Sequence, residues 1–295
     1  MARVSLTLAT LRARAAGRHA PPPPRPVEEP DAEAELLSRA PGDDAFLTGN
    51  GIAWRCGWIR NYGRPLRNPA GHAAWCFCKT DHVDWFFAHE APQHEFVLVS
   101  HNSDIEVGER FARHLRDRRL RAWLAANAAL AHPKLRPLPL GIANPRWPHG
   151  DVDVLRRVQH EQRAKGLLFD VSFSVATNAP ARRGCLEQTG LELLPPLPFP
   201  AYLERLASAY FSICPPGNGI DTHRVWESLY LRTVPVVIRS PLTEAHPDLP
   251  LVVLDDWSEL RARELSPQDY DRIWRGWDPR ELAVDRYLAR FSELQ

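Results

Sequence analysis

The residue types best suited to chemistry occur together between positions 211 and 230. There a run of apolar residues, typical of a buried strand, leads into a loop rich in proline and glycine. Gly217 and Gly219 permit positive φ and a close approach of the backbone to a ligand. Asp221 or Thr222 is suited to cap the helix that follows. Such a loop and helix start present bare N–H groups and the positive end of a helix dipole, so they favour a phosphate.

The helix predicted after this loop has two different faces, at about 100° per residue. Its core-facing side is apolar and consists of Val225, Trp226, Leu229 and Tyr230. Its other side is polar and consists of His223, Arg224, Glu227 and Ser228. A diphosphate at the helix start would meet His223 or Arg224, and Glu227 is placed to accept hydrogen bonds from a ribose diol. The alternative interpretation is a solvated helix face with an ordinary cap.

This stretch resembles the carboxyl-terminal donor-binding segment of exostosin-like glycosyltransferases. In that family a strand ending in Pro-x-Gly leads to a helix Asp-[Ser/Thr]-x-Arg-x-Trp-Glu-[Ala/Ser] and then to a strand Ile/Val-Pro-Val. A looser match reaches back to residues 175–183, which resemble the family's arginine-bearing loop. The close match runs from residue 213 to 237 and is carried by Pro215, Gly217, Asp221, Thr222, Arg224, Trp226, Glu227 and Pro235-Val236-Val237.

The resemblance implies two Rossmann-like domains facing a cleft (a GT-B-like arrangement), with a nucleotide sugar bound mainly by the second domain. It implies that Glu227 binds the nucleoside ribose, and that Arg182 or Arg183, with Arg224, neutralises the diphosphate. It also implies inversion at the anomeric carbon, with a base from the amino-terminal domain. No metal cofactor is required, because arginines and a helix dipole would act on the diphosphate. The other positions expected to bind the donor, from the resemblance or from their place in the loop and at the helix start, are Pro215, Gly217, Asn218, Gly219, Asp221, Thr222 and His223.

An inverting transferase needs a carboxylate or a histidine to take the proton of the acceptor hydroxyl. The tetrad His101-Asn102-Ser103-Asp104 follows a predicted strand, so we expect it at the carboxyl edge of a sheet. Asp104 is the preferred base and His101 the second choice, and Asn102 and Ser103 are expected to contact the acceptor. The alternative is a turn in which Asn and Asp bond to the local backbone. His89-Glu90 is a weaker candidate at the end of another predicted strand.

Three further motifs favour structural roles. Gly49-Asn50-Gly51 is typical of a turn, with a loop close to a ligand as the alternative. Asp151-Val152-Asp153 spells a triplet that glycosyltransferases of another fold use for manganese, but acids also suit a helix start, which is the preferred interpretation. The odd number of cysteines predicts buried free thiols, not disulfides or a zinc site. These cysteines are Cys56, Cys76, Cys78, Cys185 and Cys214.

Apolar patterns predict the elements that position these motifs. In the first half we expect strands at 84–88, 95–100 and 135–142, and a long helix over 106–130. In the second half, strands at 167–176, 210–214, 234–238 and 251–254 alternate with helices at 151–164, 180–189, 202–208 and 222–232. Alternation at this spacing predicts parallel sheets with covering helices, and hence an α/β fold of two domains.

Composition restricts the class of protein. The chain has 295 residues, of which 44% are hydrophobic and 25% charged, and a net charge of +1, so it is a globular protein and not a disordered one. This charge gives no support to a nucleic-acid binder. No apolar run reaches the length of about 18 residues that a membrane helix needs, and reduced thiols favour a cytoplasmic location. We expect an Arg/Pro-rich disordered tail at 1–40, with a targeting segment as the alternative, and domains at 41–148 and 149–295.

These observations favour an inverting glycosyltransferase that moves a sugar from a nucleotide-diphosphate sugar to a glycan or glycoconjugate acceptor. A UDP-sugar is the expected donor, and no nucleic acid is expected as a partner. The alternative is a non-catalytic nucleotide- or carbohydrate-binding protein on the same fold. A phosphate-handling enzyme of another α/β class ranks last, because the sequence has no Walker loop.

Overall fold

Two β-sheets, one in each half of the chain, organise residues 45–294, which are the residues that the computed structural model describes. The tail predicted at 1–40 lies outside the described residues. Helices pack on both sheets, so the predicted α/β class is confirmed, and both sheets are consistent with Rossmann-like folds. The domain boundaries 41–148 and 149–295 stay a prediction.

The first sheet has six strands: β1 (Cys56–Arg60), β2 (Leu66–Arg67), β3 (His72–Lys79), β4 (Phe96–His101), β5 (Leu120–Ala126) and β6 (Leu135–Leu138). Their order across the sheet is β2-β1-β3-β4-β5-β6. β2 runs antiparallel to β1, and every other neighbouring pair is parallel. β4 is buried along its whole length, as expected of a central strand that is covered on both faces.

The second sheet has four strands: β7 (Leu167–Asp170), β8 (Ala209–Ile213), β9 (Val234–Ile238) and β10 (Val252–Leu254). All four are parallel, in the order β10-β9-β8-β7. The strands predicted in this half are confirmed, although the first ends at Asp170 and not at 176.

The α-helices are α1 (Gly49–Ala53), α2 (Val83–Trp85), α3 (Val152–Glu161), α4 (Ala179–Thr189), α5 (Phe199–Ala207), α6 (His223–Tyr230), α7 (Pro241–Ala245), α8 (Glu259–Arg263), α9 (Pro267–Trp274) and α10 (Val284–Leu288). Segments of 3₁₀ helix occur at Thr80–His82, Glu109–Arg116, Val175–Asn178, Pro279–Leu282 and Ala289–Leu294. Helices α3 to α6 confirm the four helices predicted in the second half. Among residues 45–294, no helix has both the length and the apolar character needed to cross a membrane.

Two predictions in the first half are wrong. Residues 84–88, predicted as a strand, are helical, because α2 continues into a π turn at Phe86–Glu90. In this segment Val83 and Phe86 are fully buried, and their separation of three positions is typical of a helix. A short apolar run in the sequence does not reveal which of its residues are buried, so it does not separate helix from strand. Residues 106–130, predicted as one helix, form a 3₁₀ helix and then β5. The alanines of β5 have low strand propensity, which hid this strand in the sequence.

One hydrophobic core contains buried residues from both halves of the chain. The Tyr230 hydroxyl, at the end of α6, accepts a hydrogen bond from Leu47 N (2.6 Å) and donates one to Leu282 O (2.9 Å). Trp75 of β3 donates its indole N–H to Leu294 O (3.1 Å). The end of the chain therefore returns to the first sheet, and the two halves share a core.

Candidate functional site

Segments that follow strands of the first sheet contact the loop after β8. Leu140 N donates to Asp221 Oδ2 (2.8 Å), and Asp221 N donates to Asn127 Oδ1 (3.1 Å). Asn218 Nδ2 donates to Asp104 Oδ2 (3.1 Å). The structure thus brings the loop predicted to bind a phosphate into contact with the segment predicted to supply a base.

Close packing explains the glycines of this loop. Neither Gly217 nor Gly219 has a positive φ, so that part of the prediction is wrong. A Cβ on Gly219 would lie 2.6 Å from the amide nitrogen of Asn127, and one on Gly217 would lie 3.1 Å from Arg182 Nη2. Pro215, at the start of the loop, is buried. At Gly219 the loop therefore approaches Asn127 more closely than a larger residue would allow, whereas a larger residue at Gly217 would shift the Arg182 guanidinium by a few tenths of an ångström.

Asp221 joins the loop, the first sheet and α6. Its buried carboxylate accepts hydrogen bonds from Leu140 N (2.8 Å), Trp226 Nε1 (2.8 Å) and Thr222 N (2.7 Å). Burial raises the pKa of Asp221 to about 6, although these donors act in the opposite direction. Through these hydrogen bonds Asp221 positions the loop. Its predicted contact with a nucleotide-sugar donor stays a prediction.

In the described range 45–294, no N-cap side chain bonds to the start of α6. Thr222 stands at the N-cap position, but its side chain makes no capping hydrogen bond, and the Asp221 carboxylate bonds to Thr222 N instead. The cap predicted from either residue is therefore wrong. Within residues 45–294, Thr222 Oγ1 is buried without a hydrogen-bond partner. Uncapped N–H groups at a helix start favour an anion.

Two arginines face the loop and the helix start. Arg182 of α4 donates from Nε to Pro216 O (3.0 Å) and from Nη1 to Ser174 O (2.5 Å). The Arg224 guanidinium makes no hydrogen bond or ion pair with any other residue of the described range 45–294, and its Nε is buried. The two guanidinium carbons lie over the ring of Phe173, at 5.6 and 5.8 Å from its centre.

Arg182 and Arg224 are close enough for each positive charge to disfavour the other, so the pair is suited to bind an anion. Burial, and then the charge of Arg224, lowers the pKa of Arg182 to about 10. Arg183, the alternative to Arg182 in the sequence, is exposed. Asn178 Nδ2 donates to Gly217 O (2.8 Å), so the stretch at 175–183 also contacts the loop through its helix cap. The geometry therefore favours Arg182 over Arg183 as the second arginine of the site.

Glu227 is buried, which excludes a solvated helix face at this position. Its exposed fraction is 5% and that of Ser228 is 0%. Tyr202 of α5 donates its hydroxyl to Glu227 Oε2 (2.8 Å), and this is the only hydrogen bond to the carboxylate in the described part of the chain. Burial raises the pKa of Glu227. One carboxylate oxygen is thus oriented by the protein, while the other has no donor there.

His223 contributes a hydrogen bond and not a charge. Its Nδ1 donates to Gly141 O (2.7 Å), and its ring centre lies 6.0 Å from that of His149. Burial lowers the pKa of His223 to about 4, so the ring is neutral at neutral pH. A neutral ring adds no positive charge at the helix start, and Arg224 is left as the cation of this turn.

Asp104 is accessible, and His101 is not. Asp104 is exposed, and its hydrogen-bond partner within residues 45–294 is Asn218. His101 is 1% exposed, its Nε2 donates to Pro139 O (3.0 Å), and its Nδ1 accepts from Asn102 N (2.7 Å). Burial also lowers the pKa of His101. With both ring nitrogens engaged, His101 is suited to positioning the turn, and Asp104 is the better placed of the two predicted bases.

An amide network that sequence reasoning missed supports this turn. Asn102 has a φ of +57°, and its Nδ2 donates to the Oδ1 atoms of Asn50 and Asn61 (both 3.1 Å). Asn144 donates from Nδ2 to Asn102 Oδ1 (2.9 Å) and accepts from Asn50 N (2.9 Å). A Cβ on Gly49 would lie 1.8 Å from Asn102 Oδ1. The asparagines come from segments distant in the chain, so no local pattern could signal the network.

Other sequence candidates have structural partners. Ser103 Oγ accepts from Ile105 N (3.1 Å), a local turn bond of the kind named as the alternative for this tetrad. Glu90 forms an ion pair with Arg60, and His89 is exposed.

The three weaker motifs also have structural roles. Gly49-Asn50-Gly51, predicted as a turn, is instead the first turn of α1. Asp151 caps α3 by accepting from Asp153 N (3.0 Å) and Val154 N (3.1 Å), which confirms the helix-start interpretation. All five cysteines are buried free thiols, as predicted.

Comparison with known proteins assigns no family. No protein-family model matches the chain, and no curated protein is significantly similar to it. The resemblance to exostosin-like glycosyltransferases therefore rests on residues 213–237 and 175–183. In the range 45–294, no group of three or more His, Cys, Asp or Glu side chains is arranged to hold a metal ion.

The geometry defines a site for an anion with further polar groups. An uncapped helix start, Arg224 without a hydrogen-bond partner in the described chain, and Arg182 converge at one loop. Beside them lies Glu227, with one oriented carboxylate oxygen. Across the junction lies Asp104, which is exposed. This set can bind phosphate, accept hydrogen bonds from hydroxyl groups and accept a proton.

Proposed function

We propose that the protein is an inverting glycosyltransferase of the exostosin-like type. It would transfer a sugar from a nucleotide-diphosphate sugar, with a UDP-sugar as the expected donor, to a glycan or glycoconjugate acceptor. The observation that carries this proposal is the guanidinium of Arg224, without a hydrogen-bond partner in residues 45–294, beside the uncapped start of α6. Arginine presents a planar set of donors that matches phosphate oxygens.

The donor would bind along the loop and α6. Its diphosphate would lie between Arg182, Arg224 and the first N–H groups of the helix, where partial burial strengthens each electrostatic contact. Its ribose would donate hydroxyl hydrogens to the free carboxylate oxygen of Glu227, while Tyr202 orients the other oxygen. Because two arginines supply the positive charge, this mode of binding needs no metal ion.

The chemistry would take place where the two halves meet, in a GT-B-like arrangement of the two sheets. Asp104 would take the proton of the acceptor hydroxyl while the acceptor oxygen bonds to the anomeric carbon. The bond from that carbon to the diphosphate would break on the opposite face, which inverts the configuration. Arg182 and Arg224 would stabilise the charge on the departing diphosphate. Asn102 and Ser103, next to the base, are the proposed acceptor contacts.

One observation favours the alternative, a non-catalytic nucleotide- or carbohydrate-binding protein. His101 has both ring nitrogens engaged, so Asp104 carries the proposed base role within the tetrad by itself. Asp104 also accepts a hydrogen bond from Asn218. In the alternative, this contact serves only to hold the loop, and the arginine site binds a nucleotide without turnover.

Calorimetric titration with UDP, GDP, CDP and ADP, in EDTA and again in Mn²⁺, tests the donor site. We expect one nucleotide to bind equally in both solutions. Binding should be lost in Arg224→Gln and retained in Arg183→Gln, a matched control on an exposed arginine. If none of the four nucleotides binds the folded protein, the proposed donor site is refuted.

A transfer assay separates the enzyme from the binding protein. The matching nucleotide sugar is incubated with a mixture of glycan acceptors, and release of the nucleoside diphosphate is followed. Release that depends on acceptor and is lost in Asp104→Asn supports the transferase. The alternative is supported if the nucleotide binds tightly, no nucleoside diphosphate is released, and Asp104→Asn behaves like wild type in both measurements.

A further inference from the structure

A cavity of about 470 Å³ lies at the amino ends of the strands of the second sheet. Its lining residues Lys165, Ala207 and Arg232 stand just before β7, β8 and β9, so the cavity lies where these parallel strands begin. The candidate donor loop follows the carboxyl end of β8. The cavity and the candidate site are therefore at opposite ends of the same strands.

Among residues 45–294, three cationic side chains and no carboxylate line the cavity; the cations are Arg163, Lys165 and Arg232. Arg163 forms ion pairs with Glu161 (2.7 Å) and Glu204 (3.2 Å), which partly offset its charge. The Lys165 ammonium and the Arg232 guanidinium form no ion pair with residues of the range 45–294, and both lie over aromatic rings. The cavity therefore carries an excess of positive charge.

Lys165 shows the effect of this excess. Its Nζ donates to Thr233 Oγ1 (3.0 Å) and to Leu231 O (3.5 Å), and lies 5.5 Å from the ring centre of Tyr270. Burial, and then the charge of Arg232, lowers the pKa of Lys165 to about 7. The surroundings disfavour the positive charge of this amine, and a negative ligand in the cavity would favour it again.

Two residues of the lining have backbone conformations that favour glycine. Gln162 follows α3 with a φ of +45°, and Arg232 follows α6 with a φ of +57°. Gly190, at the corresponding position after α4, has a φ of +69°. At Gln162 and Arg232 the chain instead carries long polar side chains that line the cavity.

We propose that this cavity binds a small oxyanion with two or more negative charges, held by Arg163, Lys165 and Arg232. Its volume lies within the range of about 300–1,000 Å³ that is typical of small-molecule sites. Guanidinium groups suit bidentate contacts with phosphate or carboxylate oxygens, and an ammonium group adds a point charge. The proposal is independent of the glycosyltransferase proposal, because it uses no residue of the donor loop or of the start of α6.

Binding at this site should weaken as the pH rises above about 7. A bound anion favours the charged form of Lys165, so the complex retains a proton that the empty site loses. Burial raises the pKa of Tyr270, so Lys165 is the group that changes charge in this range. The charged or titratable groups near the site, besides Lys165, are Arg163, Arg232, Tyr270, Tyr210, Glu161, Glu204, Asp271 and Asp278.

Acylation of amines followed by mass spectrometry tests the proposal on the full chain, whose lysines are Lys79, Lys134 and Lys165. The reagent attacks the neutral amine, so an anion that raises the Lys165 pKa by about one unit slows its labelling about tenfold at a pH below the pKa of the empty site. Pyrophosphate and citrate are the probes for a phosphate ligand and for a polycarboxylate ligand. We expect one of them to slow labelling of Lys165 about tenfold and to leave Lys79 and Lys134 unchanged.

Variants separate this site from the donor site. Arg232→Gln should abolish the protection of Lys165, whereas Arg239→Gln, an exposed arginine after β9, should retain it. Arg224→Gln should also retain it, although that variant loses the proposed nucleotide site. If Arg232→Gln fails to fold, Arg163→Gln takes its place. The proposal is overturned if neither probe at millimolar concentration slows labelling of Lys165, or if protection persists in the cavity variant.

Discussion

The two sides of the candidate site are built from different chemistry. On the side of the first sheet, a network of asparagine amides and a buried histidine hold the turn that leads to the exposed carboxylate of Asp104. On the side of the loop and α6 lie charged groups that are buried or half-buried: Arg182, Arg224 and Glu227. Amides that bond to one another set a fixed geometry at little electrostatic cost, whereas buried charges cost desolvation that an opposite charge offsets.

The difference indicates a division of roles. The charged side is suited to bind an anionic donor, and the amide side is suited to hold a proton acceptor in place next to it. Under the proposed function, substitutions on the charged side should change affinity, and substitution of Asp104 should change rate. Four variants test this difference between the two sides.

The largest effect is expected on the amide side, from Asp104→Asn. Loss of the base should lower the turnover number about 10²- to 10⁴-fold. Nucleotide affinity should stay unchanged, because the asparagine oxygen can still accept the hydrogen bond from Asn218. Steady-state rates and calorimetric affinities on the same preparations measure the two quantities. Glu106→Gln, at an exposed carboxylate two positions away, is the matched control. An equal loss of affinity in Asp104→Asn would contradict the division of roles.

Arg224→Gln should show the opposite pattern on the charged side. Loss of this guanidinium should weaken UDP binding by about 2–4 kcal/mol, because its charge-assisted bonds to phosphate would form in a partly desolvated place. Uridine, which has no phosphate, should bind wild type and variant alike. Calorimetry with both ligands measures the contrast. If uridine and UDP lose the same affinity, the residue acts through the fold and not through phosphate.

Asp221 links the two sides, and its ionisation should appear in the stability of the fold. Burial raises its pKa from 3.8 to about 6, so the protonated form stabilises the folded state below about pH 4, and this contribution is lost as the pH rises through about 6. Asp221→Asn does not titrate. Between pH values of about 4 and 7, the unfolding free energy of the variant should therefore gain about 2–3 kcal/mol relative to wild type. Urea unfolding of both proteins at the two pH values measures this change, and a pH-independent difference would exclude the raised pKa.

The smallest effect is expected from Tyr202→Phe. This variant removes the hydrogen bond from Tyr202 that orients Glu227 and should weaken nucleotide binding by about 1 kcal/mol. Since Glu227 is proposed to bind ribose, the loss should be the same for uridine and for UDP. Pyrophosphate binding at the donor loop should not change. A loss confined to the phosphate-bearing ligand would place Tyr202 with the arginines instead.

Sequence reasoning worked best where a pattern is local. The alternation of strands and helices over 151–254 is confirmed, because each element there has its own periodicity. In the first half, the strand expected at 84–88 is helical, and the helix expected over 106–130 contains β5. Short apolar runs and alanine-rich strands show no periodicity that separates helix from strand. The secondary structure of these two segments therefore depends on how they pack in the folded chain.

Within the site, α6 and its glycine loop can be predicted from residue types, since they depend on residues within a few positions of one another. The three-dimensional packing was needed to establish that Arg182 and not Arg183 faces the loop, that Glu227 is buried against Tyr202, and that Asp104 contacts Asn218. Asp104 and Asn218 are 114 residues apart, and no local rule of spacing connects such positions. Their contact depends on how the two sheets pack around a shared core, which is a property of the whole chain.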